Sequence, residues 1–485
     1  MSISRHPMES EALAARYGER YRWLALAVVS IGLVAGILPS SSFVVAIPAL
    51  LAAFHVAPSH GQLVMTSFMV TNTICLLPTP WLIERLGMRR CFVSAVGLLA
   101  VTSVLGAFSP NFPFLVGVRA LQGVGAGVIM PMISIVIMRM FDFHDRGRAS
   151  GVMGLSVTLA PALAPTIGGL MVDFWGWRSV SLLPLPFCVF AALAALRILP
   201  VEKSVERHDF DALGMALLSL LTLSWLGVGS NIAARDPTQT AWLLGSLTVL
   251  AGTAAAFVVH ARRIAHPLIS PVVLRRRQVT MGATVSFLLG FGAYGAAYLV
   301  PLYFQVALGL SATHAGAALM PGTLALGMSF PVAGFLLDTL SPRKVMTVGM
   351  LVFSVGWLVL GGFGAGFPYW VFVAVLMFSR VGQGFANTPL TQISLVNLQG
   401  ATLTQASALL SYVRQLGGVL GIALLAVLVE WRSTMLGGDT SARVQAYSET
   451  FVFMALATGT SLFAIWQLKN ASRLAPPYRE PSDGY

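Results

Sequence analysis

Long apolar runs are the feature of this 485-residue sequence that most limits its fold. A helix needs about 20 consecutive, mainly apolar residues to cross the hydrocarbon core of a bilayer. Because lipid offers no partners for backbone polar groups, such runs can cross it only as helices. The sequence therefore predicts an all-α polytopic membrane protein with 14 transmembrane helices, at 23–48, 61–83, 91–108, 113–138, 149–172, 179–199, 212–230, 240–260, 279–304, 314–337, 345–362, 369–395, 405–429 and 450–468.

The charge distribution predicts an orientation in the membrane. With 56% hydrophobic and 10% charged residues, the chain is too apolar for a soluble protein. Its net charge of +12 would suggest nucleic-acid binding in a soluble protein, but Lys and Arg collect in cytoplasmic loops of membrane proteins. If the N-terminus is cytoplasmic, 23 of the 30 Lys and Arg residues lie on that side. We therefore expect a multi-pass protein of the inner (cytoplasmic) membrane, with both termini cytoplasmic and no nucleic-acid partner.

Enzymatic chemistry is not indicated by the residues. The three cysteines, Cys75, Cys91 and Cys188, lie within or beside apolar runs and lack ligand-like spacing. An enzyme acting on lipid-soluble substrates would need a catalytic constellation, and no cluster of His, Asp, Glu and Cys appears in the sequence. We predict that the protein is not an enzyme, binds no metal and uses no cofactor.

Three arginines lie inside predicted spans: Arg119, Arg380 and Arg414. A central arginine costs at least about 2.5–3.5 kcal/mol on insertion, so it is expected to pack, to pair or to contact a solute. Two readings of Arg119 stay open: it braces the helix bundle through backbone carbonyls, or it contacts solute or water.

Internal repetition divides the chain into two halves. Arg119 and Gln122 recur as Arg380 and Gln383, an offset of 261, and Glu84 recurs as Asp338, an offset of 254. Parallel repeats of this kind build rocking transporters, with the solute site between the halves near the bilayer midplane. We predict a cytoplasmic tail at 1–22, a six-helix bundle at 23–199, two extra helices with linkers at 200–278, a six-helix bundle at 279–468 and a cytoplasmic tail at 469–485.

These motifs resemble a known family. The turn at 84–90, the helix motif at 119–127, the Pro165 to Gly169 stretch, the loop at 175–178 and the Arg414-Gln415-Leu-Gly-Gly run are similar to the major facilitator superfamily, and within it to the fourteen-span drug:proton antiporters of the EmrB/QacA type. The resemblance implies the major facilitator fold, two six-helix bundles plus two extra central helices. It also implies export of hydrophobic or amphiphilic organic compounds by alternating access, in exchange for protons. Some relatives recruit a periplasmic adaptor protein, while a single fourteen-helix bundle needs no second copy to form its pathway.

The first helix departs from the family pattern. Pro39 occupies the place of a membrane-embedded Asp, the natural proton carrier of an antiporter. None of the 18 acids lies at mid-membrane in the predicted topology, and Asp173 and Glu430 at outer helix ends are the closest substitutes. The alternative function is a proton-independent facilitator or importer of a metabolite.

Two segments are predicted to serve the conformational change. A charge latch is expected at the turn after the second helix and at its repeat, or else these arginines only anchor the topology. The fifth helix is expected to hinge, because prolines remove backbone donors and glycines admit a neighbouring helix. The latch residues are Glu84, Arg85, Gly87, Arg89, Arg90 and Asp338, and the hinge residues are Pro161, Pro165, Gly168 and Gly169.

Polar residues at membrane depth mark the expected pathway, although helix-to-helix hydrogen bonding explains any one of them equally well. The transport and coupling candidates are Arg119, Gln122, Arg380, Arg414, Asp173 and Glu430. The cavity candidates are Ser41, Thr66, Asn72, Tyr294, Gln305, Asn387 and Tyr412. Because the cavity would hold three arginines and no acid, neutral or anionic amphiphiles are expected to be preferred over quaternary ammonium compounds.

Overall fold

A computed structural model describes most of the chain. The described residues are 18, 20–57, 60–141, 146–200, 210–231, 237–264, 267–269, 271–363, 368–395, 398 and 400–468. All regular elements in this part of the chain are helices. The α-helices are α1 Arg20–Phe54, α2 Gly61–Cys75, α3 Thr79–Leu86, α4 Met88–Ala107, α5 Phe112–Met140, α6 Arg146–Trp175, α7 Trp177–Val180, α8 Leu185–Ile198, α9 Ala212–Asn231, α10 Pro237–Arg263, α11 Pro271–Leu274, α12 Arg277–Leu302, α13 Ala312–Thr339, α14 Pro342–Phe363, α15 Tyr369–Leu395, α16 Gly400–Met435, α17 Thr440–Gly459 and α18 Ser461–Gln467.

The helices follow the predicted spans. Twelve helical segments of the described chain are long and apolar enough to cross a membrane, and the bent pair α2 and α3 adds a thirteenth. The remaining predicted span, 149–172, lies within α6. Long apolar runs thus became helices throughout, which confirms the prediction of an all-α polytopic membrane protein.

Prolines interrupt three of the predicted spans. The span at 61–83 bends by 59° between α2 and α3, where Pro78 and Pro80 remove backbone donors. The span at 179–199 contains a turn before α8. Pro184 is the N-cap of α8, which begins at Leu185. In the span at 279–304, the α-helix ends just after Pro301 and continues as a π-helix, Tyr303–Ala307. Hydropathy predicts the length of these spans but not their interruptions.

The two halves repeat one pattern of helix neighbours. In the N-terminal half, α1 packs on α6 and α8, and α5 packs on α2 and α4. In the C-terminal half, α12 packs on α16, α17 and α18, and α15 packs on α13 and α14. Because the repeat-related helices have the same neighbours, the fold consists of two six-helix bundles, as the offset of 261 predicts.

The halves meet mainly along two helix pairs, α6 with α13 and α2 with α16, and α1 makes smaller contacts with α12 and α13. Glycines allow the first pair to pack backbone against backbone. A Cβ at Gly169 would lie 2.5 Å from the carbonyl oxygen of Ala312, and one at Gly316 would lie 2.2 Å from that of Pro165. A larger residue at either position would separate the halves, because no side chain is present there that could move aside.

The two extra helices form a hairpin against the C-terminal half. Helix α9 packs on α10 and on α16. The Asp211 carboxylate lies 2.6 Å from Nε2 of His260 and accepts a hydrogen bond of 2.8 Å from the Gly214 backbone, so it caps α9 and ties it to the end of α10. Trp225 donates from Nε1 to the carbonyl oxygen of Leu416 at 3.2 Å, which fixes α9 to α16.

The bundle is closed at one end. We call distal the face that carries the ends of α1, α6 and α16, and proximal the face that carries the turns at Gly87 and Ser341. At the distal face, Asp173 of α6 bonds Thr313 of α13, and Gly61 of α2 packs beside the Tyr298 hydroxyl of α12. Hydrogen bonds between described residues of the two halves include those from Thr313 to Asp173 at the distal face and from Gln415 to Asn72 in the middle of the bundle.

Candidate functional site

Arg119 of α5 is fully buried among three helices of the N-terminal half. Its Nε donates to the carbonyl oxygen of Val64 at 3.1 Å, and its Nη1 donates to Oε1 of Gln122 at 2.7 Å. The guanidinium lies 4.4 Å from the ring centroid of Phe43 and 4.6 Å from that of Phe68. Cation–π contact and a backbone carbonyl thus replace a carboxylate partner. In this conformation Arg119 braces α1, α2 and α5 and is closed to a solute.

Two donors beside this brace have no acceptor. The second Nη of Arg119 and Nε2 of Gln122 are both enclosed, and neither makes a hydrogen bond within the described structure. An unsatisfied buried donor costs about 1–3 kcal/mol, and more when it is charged. An acceptor placed beside these two donors, such as a water molecule, would therefore remove this cost.

The three glycines after Arg119 set the depth of α5 in the bundle. A Cβ at Gly123 would lie 2.2 Å from the carbonyl oxygen of Phe68, and one at Gly127 would lie 2.5 Å from that of Asn72. Gly125 faces the other way, where a Cβ would lie 2.8 Å from the carbonyl oxygen of Ala95 on α4. The alternating glycines therefore serve two different helix contacts, and the Thr71 hydroxyl adds a 2.6 Å bond to the Ala120 carbonyl.

The C-terminal half repeats the arginine–glutamine contact. Arg380 of α15 donates from Nη1 to Oε1 of Gln383 at 2.8 Å, as Arg119 does to Gln122 three residues on. Arg380 is 9% exposed, whereas Arg119 is not exposed at all. The sequence repeat thus extends to a side-chain hydrogen bond, and the C-terminal arginine is slightly less buried than the N-terminal one.

One turn of α16 reaches three different helices. Arg414 donates from Nη1 to Oδ1 of Asn387 on α15 at 2.9 Å. The next residue, Gln415, donates from Nε2 to Oδ1 of Asn72 on α2 at 3.0 Å, which joins the two halves in the middle of the bundle. Tyr412 bonds Thr222 of α9, with 2.8 Å between the hydroxyl oxygens. We call residues 412–415 the α16 hub.

Tyr294 of α12 completes the mid-bundle cluster. Its ring packs beside Gly418, where a Cβ would lie 2.5 Å from the ring and 2.8 Å from the methyl group of Met69 on α2. Tyr294 is half-buried, and its hydroxyl has no hydrogen-bond partner among the described residues. Of the predicted cavity residues, Asn72, Tyr294 and Asn387 therefore lie at or beside the hub.

The other predicted cavity residues bond elsewhere. The buried Thr66 hydroxyl donates to the Gln62 carbonyl of its own helix, and Gln305 donates to the Pro301 carbonyl at 3.3 Å. Tyr412 faces the extra helix α9, where its hydroxyl also donates to the Leu218 carbonyl at 3.1 Å. Ser41 is half-buried on α1. Tyr412 therefore belongs to the α16 hub but faces α9, and no described hydrogen bond joins Thr66, Gln305 or Ser41 to the hub.

The two predicted acids occupy different environments near the distal face. The Asp173 carboxylate accepts from the backbone N–H of Thr313 at 2.9 Å and from its hydroxyl at 2.5 Å. Glu430 of α16 is half-buried, and its Oε2 is enclosed without a hydrogen-bond partner in the described structure. Asp173 is thus committed to a contact between the halves, whereas Glu430 retains an unpaired carboxylate oxygen.

The described structure shows no ion pair at the predicted latch. Glu84 is exposed and makes no ion pair with a described residue, and the side chain of Asp338 lies outside the described part of the structure. Gly87 has a φ of 81°, which a glycine adopts readily, and so permits the turn between α3 and α4. The latch stays a prediction for the other conformational state.

The basic residues of this turn contact their own half. Arg85 lies over the Trp81 ring at 5.1 Å from its centroid. Arg89 donates to the carbonyl oxygen of Leu196 at the end of α8, and Arg90 is exposed. In this state Arg85 and Arg89 anchor the turn of the N-terminal half.

The predicted hinge helix is continuous. Helix α6 passes through Pro161 and Pro165 without a break. A Cβ at Gly168 would lie 3.0 Å from the carbonyl oxygen of Ser42. Helix α1 therefore packs closely against Gly168, and α13 packs closely against Gly169. Bending at the prolines stays a prediction.

Two six-helix repeats that meet around a polar mid-membrane cluster define a secondary transporter, and not an enzyme. The family model of the Major Facilitator Superfamily matches residues 24–422, and it matches again over residues 282–481. The chain therefore belongs to the Major Facilitator Superfamily. Members of this family carry small solutes across membranes.

Relatives in two bacteria carry names of exporters or transporters. The chain is 29% identical over 375 residues to a multidrug resistance protein B homolog of Mycobacterium tuberculosis, covering 76% of this chain and 69% of that protein. It is 30% identical over 437 residues to the "Probable actinorhodin transporter" of Streptomyces coelicolor, covering 87% of this chain and 74% of that protein.

A solved structure shares the fold at low identity. A D-xylose–proton symporter superposes with a TM-score of 0.66 at 14% identity, covering 92% of this chain and 99% of that one. At this level of identity the similarity concerns the fold alone.

Proposed function

We propose that this protein exports hydrophobic or amphiphilic organic compounds from the cytoplasm by alternating access in the inner membrane. The observation that carries the proposal is the hydrogen bond between Gln415 and Asn72, which joins the two halves at mid-membrane while Asp173 closes the distal face. With both termini cytoplasmic, the described conformation would be closed to the outside. The names of the relatives support export, because they include multidrug resistance proteins.

The mid-bundle cluster suits an amphiphilic solute. Met69, the Tyr294 ring and the glycine face of α16 supply apolar surface, while Arg414 and the Tyr294 hydroxyl supply polar contacts. Binding sites for organic compounds combine largely apolar walls with a few placed polar groups. No periplasmic adaptor and no second copy is required for such a pathway, so we expect the monomer to transport.

Protons are the proposed driving ion, and Glu430 is the proposed carrier. Its carboxylate has an enclosed oxygen without a hydrogen-bond partner among the described residues, and it forms no ion pair with a described residue. Asp173 is less suited, because Thr313 already donates two hydrogen bonds to it. The second candidate function is a proton-independent facilitator or importer, which the occupation of the family's acidic position by Pro39 favours.

A growth screen tests export directly. Cells that express the protein should survive higher concentrations of some amphiphilic toxins in a panel of neutral, anionic and cationic compounds. Protection against none of the panel would contradict the proposal. A variant with Gly316→Leu, which would separate α6 from α13, is the inactive control because it abolishes the close contact between the halves.

A proteoliposome assay tests the coupling. A compound found in the screen should move against its gradient when a pH gradient is imposed, and Glu430→Gln should abolish that movement while exchange down the gradient continues. Glu449→Gln is the matched control, because that acid is already paired with Arg432 near the same face. Movement only down the compound's own gradient in the unmodified protein would establish the facilitator instead.

A further inference from the structure

The C-terminal half carries a polar stripe that no part of the proposed pathway yet explains. Arg380, Gln383 and Asn387 follow one another on α15 at spacings of three and four residues, so they share one face of the helix. Their seven-residue separation corresponds to about 10 Å along the helix axis. Arg414 of α16 reaches the end of this stripe through its 2.9 Å bond to Asn387.

Two glycines make room for the arginines of this stripe. A Cβ at Gly322 on α13 would lie 3.2 Å from Cγ of Arg380. A Cβ at Gly290 on α12 would lie 3.0 Å from Cγ of Arg414 and 2.0 Å from its carbonyl oxygen. The aliphatic parts of both side chains therefore pack against glycines of neighbouring helices. Their guanidinium groups bond Gln383 and Asn387 of the polar stripe.

The positive charge of the stripe is not neutralised. Neither Arg380 nor Arg414 forms an ion pair with any described residue, and each donates one hydrogen bond to a neutral amide oxygen. An arginine has five N–H donors, so each retains donors for a further partner. Arg414 is half-buried and thus differs from Arg119, whose free donor is fully enclosed.

We propose that Arg380, Gln383, Asn387 and Arg414 form a carboxylate-binding subsite that selects anionic amphiphiles as the transported compounds. The inference rests on the proposed function and names its substrate class. A carboxylate matches the planar fork of a guanidinium, and in a low-dielectric site it neutralises a charge that the helices leave unpaired. The same charges repel a cationic solute.

The subsite lies next to the contact that joins the halves. Arg414 precedes Gln415, which holds Asn72 of the N-terminal half at 3.0 Å. The bond between Gln415 and Asn72 must break when the halves separate at this point. A carboxylate bound to Arg414 would therefore lie one residue from that bond. The anion is bound by the C-terminal half, whose α15 and α16 supply all four residues.

Binding of two probes that differ only in charge tests the subsite. Full-length protein in nanodiscs is titrated with dansylglycine, which carries a carboxylate, and with dansylglycinamide, which does not, and empty nanodiscs provide the background. The unmodified protein should bind dansylglycine more tightly. Arg414→Gln and Arg380→Gln should each weaken dansylglycine binding about tenfold and change dansylglycinamide binding little. Arg275→Gln, which removes an exposed arginine outside the stripe, should change neither.

Asn387→Asp separates loss of the subsite from loss of the fold. The new carboxylate would pair with Arg414, so the thermal stability should rise or stay equal while dansylglycine affinity falls about tenfold. Equal affinity of the unmodified protein for the two probes, or no binding of dansylglycine, would overturn the subsite, and export found in the growth screen would still stand. Arginine-dependent dansylglycine binding together with a negative screen would instead reject export and retain the subsite.

Discussion

Asp173 of α6 accepts two hydrogen bonds from Thr313 of α13, one from its backbone N–H and one from its hydroxyl. The carboxylate thereby ties the N-terminal half to the first turn of a C-terminal helix, where the helix dipole also favours negative charge. We predict that Asp173→Ala shifts the protein toward a conformation open at the distal face. If the two hydrogen bonds contribute about 1 kcal/mol to the closed conformation, their loss raises the ratio of open to closed protein about fivefold. Distances between spin labels at Ala53 and Met435, measured by pulsed electron resonance in a cysteine-free background, should lengthen.

Asp439 provides the matched control for this change. It also accepts a hydrogen bond at a helix N-terminus, from the Ala442 backbone at 2.7 Å, but both residues belong to the C-terminal half. That bond lowers the pKa of the Asp439 carboxyl. Asp439→Ala should therefore leave the spin-label distances unchanged, and an equal lengthening in both variants would show that Asp173 has no special role between the halves.

Glu84 is exposed and makes no ion pair with a described residue, and a latch at this residue stays a prediction. We predict that Glu84→Gln lowers the transport rate several-fold without lowering the amount of protein in the membrane. Transport of a compound from the growth screen, normalised to immunoblot signal, measures the effect. Normal transport by this variant would leave the arginines of the turn with an anchoring role only.

The brace at Arg119 predicts a stability effect that charge alone does not explain. Arg119→Lys keeps the positive charge but loses the planar group between Phe43 and Phe68 and the bond from Nε to the Val64 carbonyl. We expect the free energy of unfolding to fall by about 1–3 kcal/mol, which is measured as a lower Tm of the purified protein. Arg262→Lys, at an exposed position, should leave Tm unchanged. Unchanged stability of the Arg119 variant would refute the brace.

The link between α9 and the α16 hub can be measured by a double-mutant cycle. Tyr412→Phe and Thr222→Ala each remove one hydroxyl of the 2.8 Å pair. Each single change should destabilise the protein by about 1 kcal/mol, and the double variant should lose less than the sum. Thermal unfolding in one detergent provides the measurement. Additive losses would mean that the two hydroxyls do not interact.

The membrane spans were predictable from the sequence because lipid imposes one requirement on every span. Runs of about 20 apolar residues and satisfied backbone bonds suffice to place them. The bends were not predictable from hydropathy, since Pro78 lies at the break between two helices while Pro161 and Pro165 lie within a continuous one. Tertiary neighbours decide whether a helix tolerates a proline.

The polar residues at membrane depth were also predictable, but not the directions in which they point. Tyr412 is a predicted cavity residue, and its bond to the extra helix was not foreseen because it depends on α9 packing on that side of α16. The rings around Arg119 come from residues far away in sequence. No local sequence pattern predicts that the Phe43 ring contacts the guanidinium of Arg119. The pairing of Asp211 with His260 likewise depends on the hairpin between α9 and α10, which the spacing of the two residues does not reveal.

The attachment of α9 to the α16 hub makes the two halves unequal as moving bodies. Bonds from Trp225 and Thr222 fix the extra hairpin to the C-terminal half. If the halves rock as proposed, that half would therefore move a wider lipid-facing perimeter than its partner. The bilayer would then resist this displacement unevenly, so acyl-chain thickness and lateral pressure would act mainly on the half that carries two of the three intramembrane arginines.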